Sequence, residues 1–251
     1  MRRRLLALGA LFVLVGLAGC FGPSEIPQDQ LGGNATYEWD RDADAAYTLS
    51  RSSYTAVFNL SNRSTLAVHD RDALGVESPV ELEKLQFRYR NGTVVNASEA
   101  NLSASLEQRR TVITVPARDG HVGYTGSRSG KQFSTPVVVP GTQTVTLPPG
   151  TRVGVPLLSQ VGPGEYTTNV AEDRMTIRWA DVVDGSLTVH YYLQRDLLLF
   201  SLLLLLALSV GLGGSIYYLR QIRELESVRE QIGLDVDDDD PRDRGPPPGM
   251  G

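Results

Sequence analysis

The residues with chemistry to offer are few: three histidines (His69, His121, His190), one cysteine (Cys20) and six Asn-x-Ser/Thr sequons. No two histidines stand at metal-ligand spacing, and the lone cysteine adds nothing to a ligand set, so no zinc site is expected. His69 and Asp70 are adjacent on a β-rich stretch, where neighbouring side chains point to opposite faces, and they read as surface residues. Gly126-Ser127-Arg128-Ser129-Gly130 resembles a nucleophile elbow with arginine at the centre instead of serine. It also misses a phosphate-binding loop, with Thr125 where glycine is needed and Gln132 where Ser or Thr is needed. That stretch reads as a mobile hairpin tip. Asp181 and Asp184 could pair in a glycosidase cleft, but no spacing rule selects them. The expectation is a protein without catalytic residues, metal or cofactor.

Cys20 has a different chemistry in view. Leu17-Ala18-Gly19-Cys20 reads as a lipobox, preceded by Arg2-Arg3-Arg4 and an apolar core from Leu5 to Val15. This is the layout of a signal peptide over residues 1–19, cleaved so that Cys20 takes a lipid. The arginines fit both a twin-arginine and a general secretory signal. With Cys20 consumed, no disulfide can form, and an exported domain must hold by packing alone. Residues 20–35 are poor in apolar side chains and read as a flexible tether.

Asn34, Asn59, Asn62, Asn91, Asn96 and Asn101 each open a sequon, and only Asn169 does not. This density predicts N-glycosylation on an extracellular surface. All six precede residue 102, which leaves the later half freer to meet membrane or partner.

Leu197–Leu219 is uncharged and leucine-rich, about 34 Å of helix against a hydrocarbon core of about 30 Å. Arg220, Arg223 and Arg229 follow it, so the positive-inside rule places the C-terminus in the cytoplasm and the preceding residues outside. Ala207, Gly211 and Ser215 recur every fourth residue, a small-residue face that would let two helices approach as a homodimer. Ile222, Leu225, Val228 and Ile232 continue at helical spacing, predicting a juxtamembrane helix over 220–233. Residues 234–251, with Asp237–Asp240 and Pro246–Pro248, have too little apolar matter to fold.

Between the two membrane segments, residues 36–196 form a mildly acidic exterior with no basic patch, which argues against nucleic acid. Strand patterns occur at Tyr54–Phe58, Leu85–Tyr89, Thr111–Val115, Thr144–Leu147, Met175–Trp179 and Leu187–Tyr191. Asn91-Gly92 marks a hairpin, and only Glu99–Arg110 suits a helix. The expected fold is all-β: an antiparallel sandwich, or two small β units divided near residue 133, plus one C-terminal transmembrane helix.

The run Gly150-Thr151-Arg152-Val153-Gly154-Val155-Pro156-Leu157-Leu158, with Ile177-Arg178-Trp179 and Tyr191–Asp196, resembles a family of predicted membrane lipoproteins from halophilic archaea. The family has no assigned activity, so the resemblance implies location and architecture alone. The Arg-over-Lys bias, with only Lys84 and Lys131, fits such a source. The resulting expectation is a cell-surface, membrane-anchored lipoprotein that binds or scaffolds a membrane or surface-layer protein. An accessory subunit of a signalling or transport complex and an exported hydrolase stand as alternatives.

Overall fold

The computed structural model describes residues 24–71, 75–99 and 101–232; the expected signal peptide, Cys20 and the acidic tail lie outside them. Strands are numbered in chain order. The main sheet runs β15 (Thr167–Ala171), β16 (Arg174–Val182), β12 (Gly141–Thr146), β2 (Ala45–Leu49), β3 (Ser53–Leu60), β10 (Gly120–Ser127), β6 (Leu82–Tyr89) and β7 (Val94–Asn96). A second sheet runs β1 (Ser24–Glu25), β8 (Ser103–Leu106), β9 (Thr111–Thr114), β4 (Thr65–Arg71) and β5 (Glu77–Pro79). Two small sheets complete the domain: β11 (Gln132–Pro136), β17 (Ser186–His190) and β14 (Gln160–Gly162), then β13 (Thr151–Arg152) with β18 (Tyr192–Leu193).

Period-two patterning builds the core. In β3 the side chains of Tyr54, Ala56, Phe58 and Leu60 are buried, while Ser53, Thr55 and Asn59 on the other face are half-buried. Tyr47, Phe87, Tyr124 and Trp179 from the main sheet join Leu66, Val68, Ala104 and Ile113 from the second in one apolar cluster. Phe133 belongs to that cluster, its ring 5.4 Å from Tyr47 and 5.3 Å from Tyr54. Residue 133 is therefore in the middle of a core, and no boundary falls there. One compact unit extends to Arg195, because strands from both sides of residue 133 share the main sheet.

Three local expectations need correction. β2 and β12 pair in parallel, Ala45 opposite Gln143, so the main sheet is mixed. Asp44 seals the start of that pair: its N–H donates to Thr142 O, and its Oδ2 accepts from Thr142 N–H, both at 2.9 Å. The supposed helix at Glu99–Arg110 contains strand β8; starting just before it, buried Leu102 and Ala104 alternate with half-buried Ser103 and Ser105. Period two won over helix propensity there. The tether also begins folding early: β1 pairs with β8, a short helix α1 (Gln28–Leu31) follows, and Ile26 and Leu31 are buried. Two well-placed apolar residues were enough to dock a polar segment.

The second unit is the helix. α2 (Gln194–Ile232) has 39 residues, about 58 Å long, and runs unbroken through the predicted span and juxtamembrane segment. It is the one helix among the described residues long and apolar enough to cross a membrane, and none of its most apolar window is buried.

Candidate functional site: a polar cleft and the surface residues

A cleft of about 630 Å³ opens between β4 and the segment joining β10 to β11. Its floor is aromatic, from Tyr54 and Phe133. His69, Asp70 and Arg71 at the end of β4 form one wall; Ser127, Arg128, Ser129 and Gln132 form the other. The two motifs weighed in sequence, His69-Asp70 and Gly126–Gly130, are thus brought to the same place.

Arg128 organises its wall. Its guanidinium donates to Ser50 O at 2.8 Å and Gly130 O at 2.9 Å, and lies 5.5 Å from the centre of the Tyr191 ring. Its backbone N–H donates to Ser52 O at 3.0 Å. The glycine-rich stretch expected to be a mobile tip is tied down by its central arginine. On the facing wall, Arg71 holds Glu77 at 2.9 Å, and His69 Nε2 lies 3.6 Å from the same carboxylate oxygen. The hydrogen bond from Arg71, with the nearby charges of His69 and Arg109, holds Glu77 below the usual carboxylate range. Burial pushes the Tyr54 hydroxyl up to about 12, so the floor stays neutral.

His69 Nε2 is buried without a hydrogen bond among the described residues, and so is Arg128 Nε. A Ser–His nucleophile requires a hydroxyl within hydrogen-bond reach of the imidazole. Among the described residues, the group beside His69 Nε2 is the Glu77 carboxylate, 3.6 Å away, and no serine hydrogen-bonds to it. The cleft is suited to holding a polar group against an aromatic floor.

The other histidines lie elsewhere. His121 on β10 sits opposite Asn59 and Arg88, half-buried, and burial together with Arg88 holds it below the ordinary imidazole range. His190 is exposed at the end of β17, in register with Gln132 and Gln160. Among the described residues no three His, Cys, Asp or Glu side chains are grouped to hold a metal ion. Asp181 and Asp184 are both exposed around the turn from β16 to β17.

The sequons divide by exposure. Asn34, Asn62, Asn91 and Asn101 are exposed; Asn59 and Asn96 are half-buried. Asn91 and Gly92 form the turn between β6 and β7, as the sequence predicts, with Gly92 at φ 89°. Asn91 Oδ1 accepts from Thr93 N–H at 3.0 Å, and Asn96 Oδ1 accepts from both N–H and hydroxyl of Ser98. Asn59 is instead near the end of β3, a strand flanked by β2 and β10, and stands opposite His121 of β10. On α2, Ala207, Gly211 and Ser215 are exposed, and the Ser215 hydroxyl donates to Gly211 O at 2.8 Å.

The run from Gly150 to Leu158 and the stretch Tyr191–Asp196 meet in space. β13 pairs with β18, Thr151 opposite Leu193, and Gln194 N–H donates to Gly150 O at 3.0 Å. Arg152 binds Asp173 at 2.9 Å, and Trp179 Nε1 donates to Pro163 O at 2.9 Å from the buried core. The sequence marks both walls of the cleft but not their meeting, since they come from separated strands.

The chain belongs to DUF5803, a family of unknown function, whose profile matches residues 41–237 and so takes in the β domain and α2 together. No curated protein matches the chain.

Proposed function

We propose that this member of DUF5803 is a cell-surface protein with a non-catalytic binding or scaffolding role, held at the membrane by α2 and by a lipid on Cys20. The β domain would face outward and the C-terminus inward. The observation that carries this reading is α2 itself: an apolar helix of bilayer-spanning length whose most apolar window is uncovered among the described residues. Water does not solvate such a surface, and lipid does. Folding of the chain from Ser24 onward supports a close second attachment, because only three residues separate Cys20 from β1, a reach of about 13 Å. The exposed sequons at Asn34, Asn62, Asn91 and Asn101 support an extracellular, glycosylated surface, as expected of a halophilic archaeal source.

An accessory role in a signalling or transport complex is the second reading. It is favoured by the continuity of α2, which would carry a rotation or shift from outside to the juxtamembrane turns at Ile222 and Leu225 without a hinge. Removal of residues 233–251 separates the two: a scaffold keeps its function, and a coupled subunit loses its cytoplasmic effect. Cross-linking in native membranes, followed by identification of the linked species, tests the partner directly. Self-dimers alone would weaken both readings in favour of pairing through Ala207, Gly211 and Ser215. Cys20→Ser tests the lipid: precursor cleavage should fail, and unchanged processing would remove Cys20 from the account.

A further inference from the structure

The loop between β13 and β14 presents apolar side chains to solvent in a way the core does not explain. Leu157 is fully exposed, Leu158 is 41% exposed, and Pro156 is exposed next to the half-buried Val155. From Val153 to Gly164 no residue carries a charge, in a chain where 21% of residues do. Leu157 holds φ at 74°, a left-handed conformation that glycine adopts without strain and leucine does not. A side chain kept in that conformation while touching nothing in its own domain points to an outside contact.

The loop is also closed on itself. Gly154 N–H donates to Ser159 Oγ at 2.9 Å, and the Ser159 hydroxyl donates to Val155 O at 3.0 Å. Leu158 N–H and Ser159 N–H both donate to Val155 O, at 3.2 and 3.1 Å, and Pro156 has no N–H to satisfy. These bonds occupy the N–H groups of Gly154, Leu158 and Ser159 within the loop, which lowers the cost of bringing that part of the backbone towards an apolar medium.

Its tether decides which medium. Strand β13 pairs with β18, with Thr151 opposite Leu193, and the predicted span begins four residues later at Leu197, about 6 Å of helix. Leu157 is six residues beyond Thr151, a reach of up to about 20 Å. The loop is therefore leashed close to where the chain passes into lipid. We infer that Val155–Leu158 is a membrane-contact foot: Leu157 and Leu158 insert into the interfacial layer of the bilayer that α2 crosses, giving the β domain a further point of rest on that leaflet. This rests on the reading of α2 as a membrane span.

Cys20 is the only cysteine, so Cys20→Ser gives a background in which a single new cysteine reports its surroundings. Leu157→Cys, Leu158→Cys and, as control, Val183→Cys would each be made in the full chain. Val183 is 68% exposed, in the turn before β17, at the other end of that strand from His190. Each would be labelled with a nitrobenzoxadiazole dye and reconstituted into phosphatidylcholine–phosphatidylglycerol vesicles, with or without doxyl-labelled acyl chains. The foot predicts that dye at 157 and 158 emits blue-shifted from dye at 183, is quenched by doxyl lipid, and resists aqueous iodide. Quenching by iodide to the extent seen at 183 overturns it. Protection from both quenchers also overturns it, because the loop would then be covered by protein. Should the full chain fail to float with vesicles, the membrane reading of α2 falls; should it float with position 157 wet, only the foot falls.

Discussion

At the scale of single residues, space at the backbone is the sharpest constraint. A Cβ on Gly123 would stand 2.9 Å from Trp39 and from Tyr37, whose rings meet edge-on at 5.3 Å across the outer face of β10. Tyr37 is fixed there by donating to Lys84 O at 2.6 Å, so it cannot swing aside freely. Gly123→Ala should destabilise the protein by about 1–3 kcal/mol through overpacking. Gly164→Ala, with open space around it and an ordinary φ, should change stability by less than about 0.5 kcal/mol. Denaturant titration of the detergent-solubilised chain compares them, and equal midpoints would refute the packing described for Tyr37 and Trp39. The sequons give a second test at this scale. Asn91 is on an exposed turn, whereas Asn59 is half-buried near the end of a central strand with its N–H bonded to Asp44 O, so Asn91→Gln should lower the intact mass by one glycan and Asn59→Gln should not. Loss of a glycan from Asn59 would mean modification precedes pairing of β3.

Among the elements, the aromatic core ties stability to alkaline pH. Burial raises the Tyr37 and Tyr54 hydroxyls from 10.0 to about 12, with Tyr47 and Tyr124 moved in the same direction. A group whose folded value is raised stabilises the fold fully below its unfolded value, and that stability is lost as pH rises. Unfolding should therefore set in between pH about 10 and 12, with phenolate absorbance rising together with loss of β circular dichroism. Phenolate appearing well before the β signal falls would show these tyrosines open to water. For α2, Leu204→Arg places a charge within the span and should cost about 2.5–3.5 kcal/mol of insertion free energy near its centre. Alkaline carbonate should then release the variant from membranes and leave the parent chain behind.

These elements differ in how far the amino-acid order reveals them. The strands around Tyr54, Phe87, Ile113, Val145, Ile177 and Val189 show apolar alternation or β-branched runs strong enough to read, and Asn91-Gly92 admits few other turns. α2 is legible because 23 uncharged residues have no alternative solvent. The parallel pairing of β2 with β12 is not legible, since it joins residues about a hundred positions apart and leaves no local mark. Strand β8 is short, with small Ser and Ala residues that suit helix and strand alike, and its pairing with β1 and β9 decides. The cleft is hidden for a related reason: Tyr54, His69, Arg128 and Phe133 become neighbours only through the fold.

For the whole molecule, the two units state two solvents. The β domain buries most of its apolar side chains in one cluster, and α2 leaves its apolar residues from Leu198 to Val228 exposed among the described residues. A chain so divided belongs at a boundary between water and lipid, with Cys20, α2 and the Val155–Leu158 loop as three proposed points of attachment to one membrane. The most direct test of the central claim is protease digestion of intact cells, followed by blotting for epitopes in the β domain and at the C-terminus. The account predicts that the β domain is cleaved while a membrane-retained fragment containing α2 and the C-terminal epitope survives. A β domain protected until the cells are lysed, or a chain recovered in the soluble fraction without detergent, would contradict it.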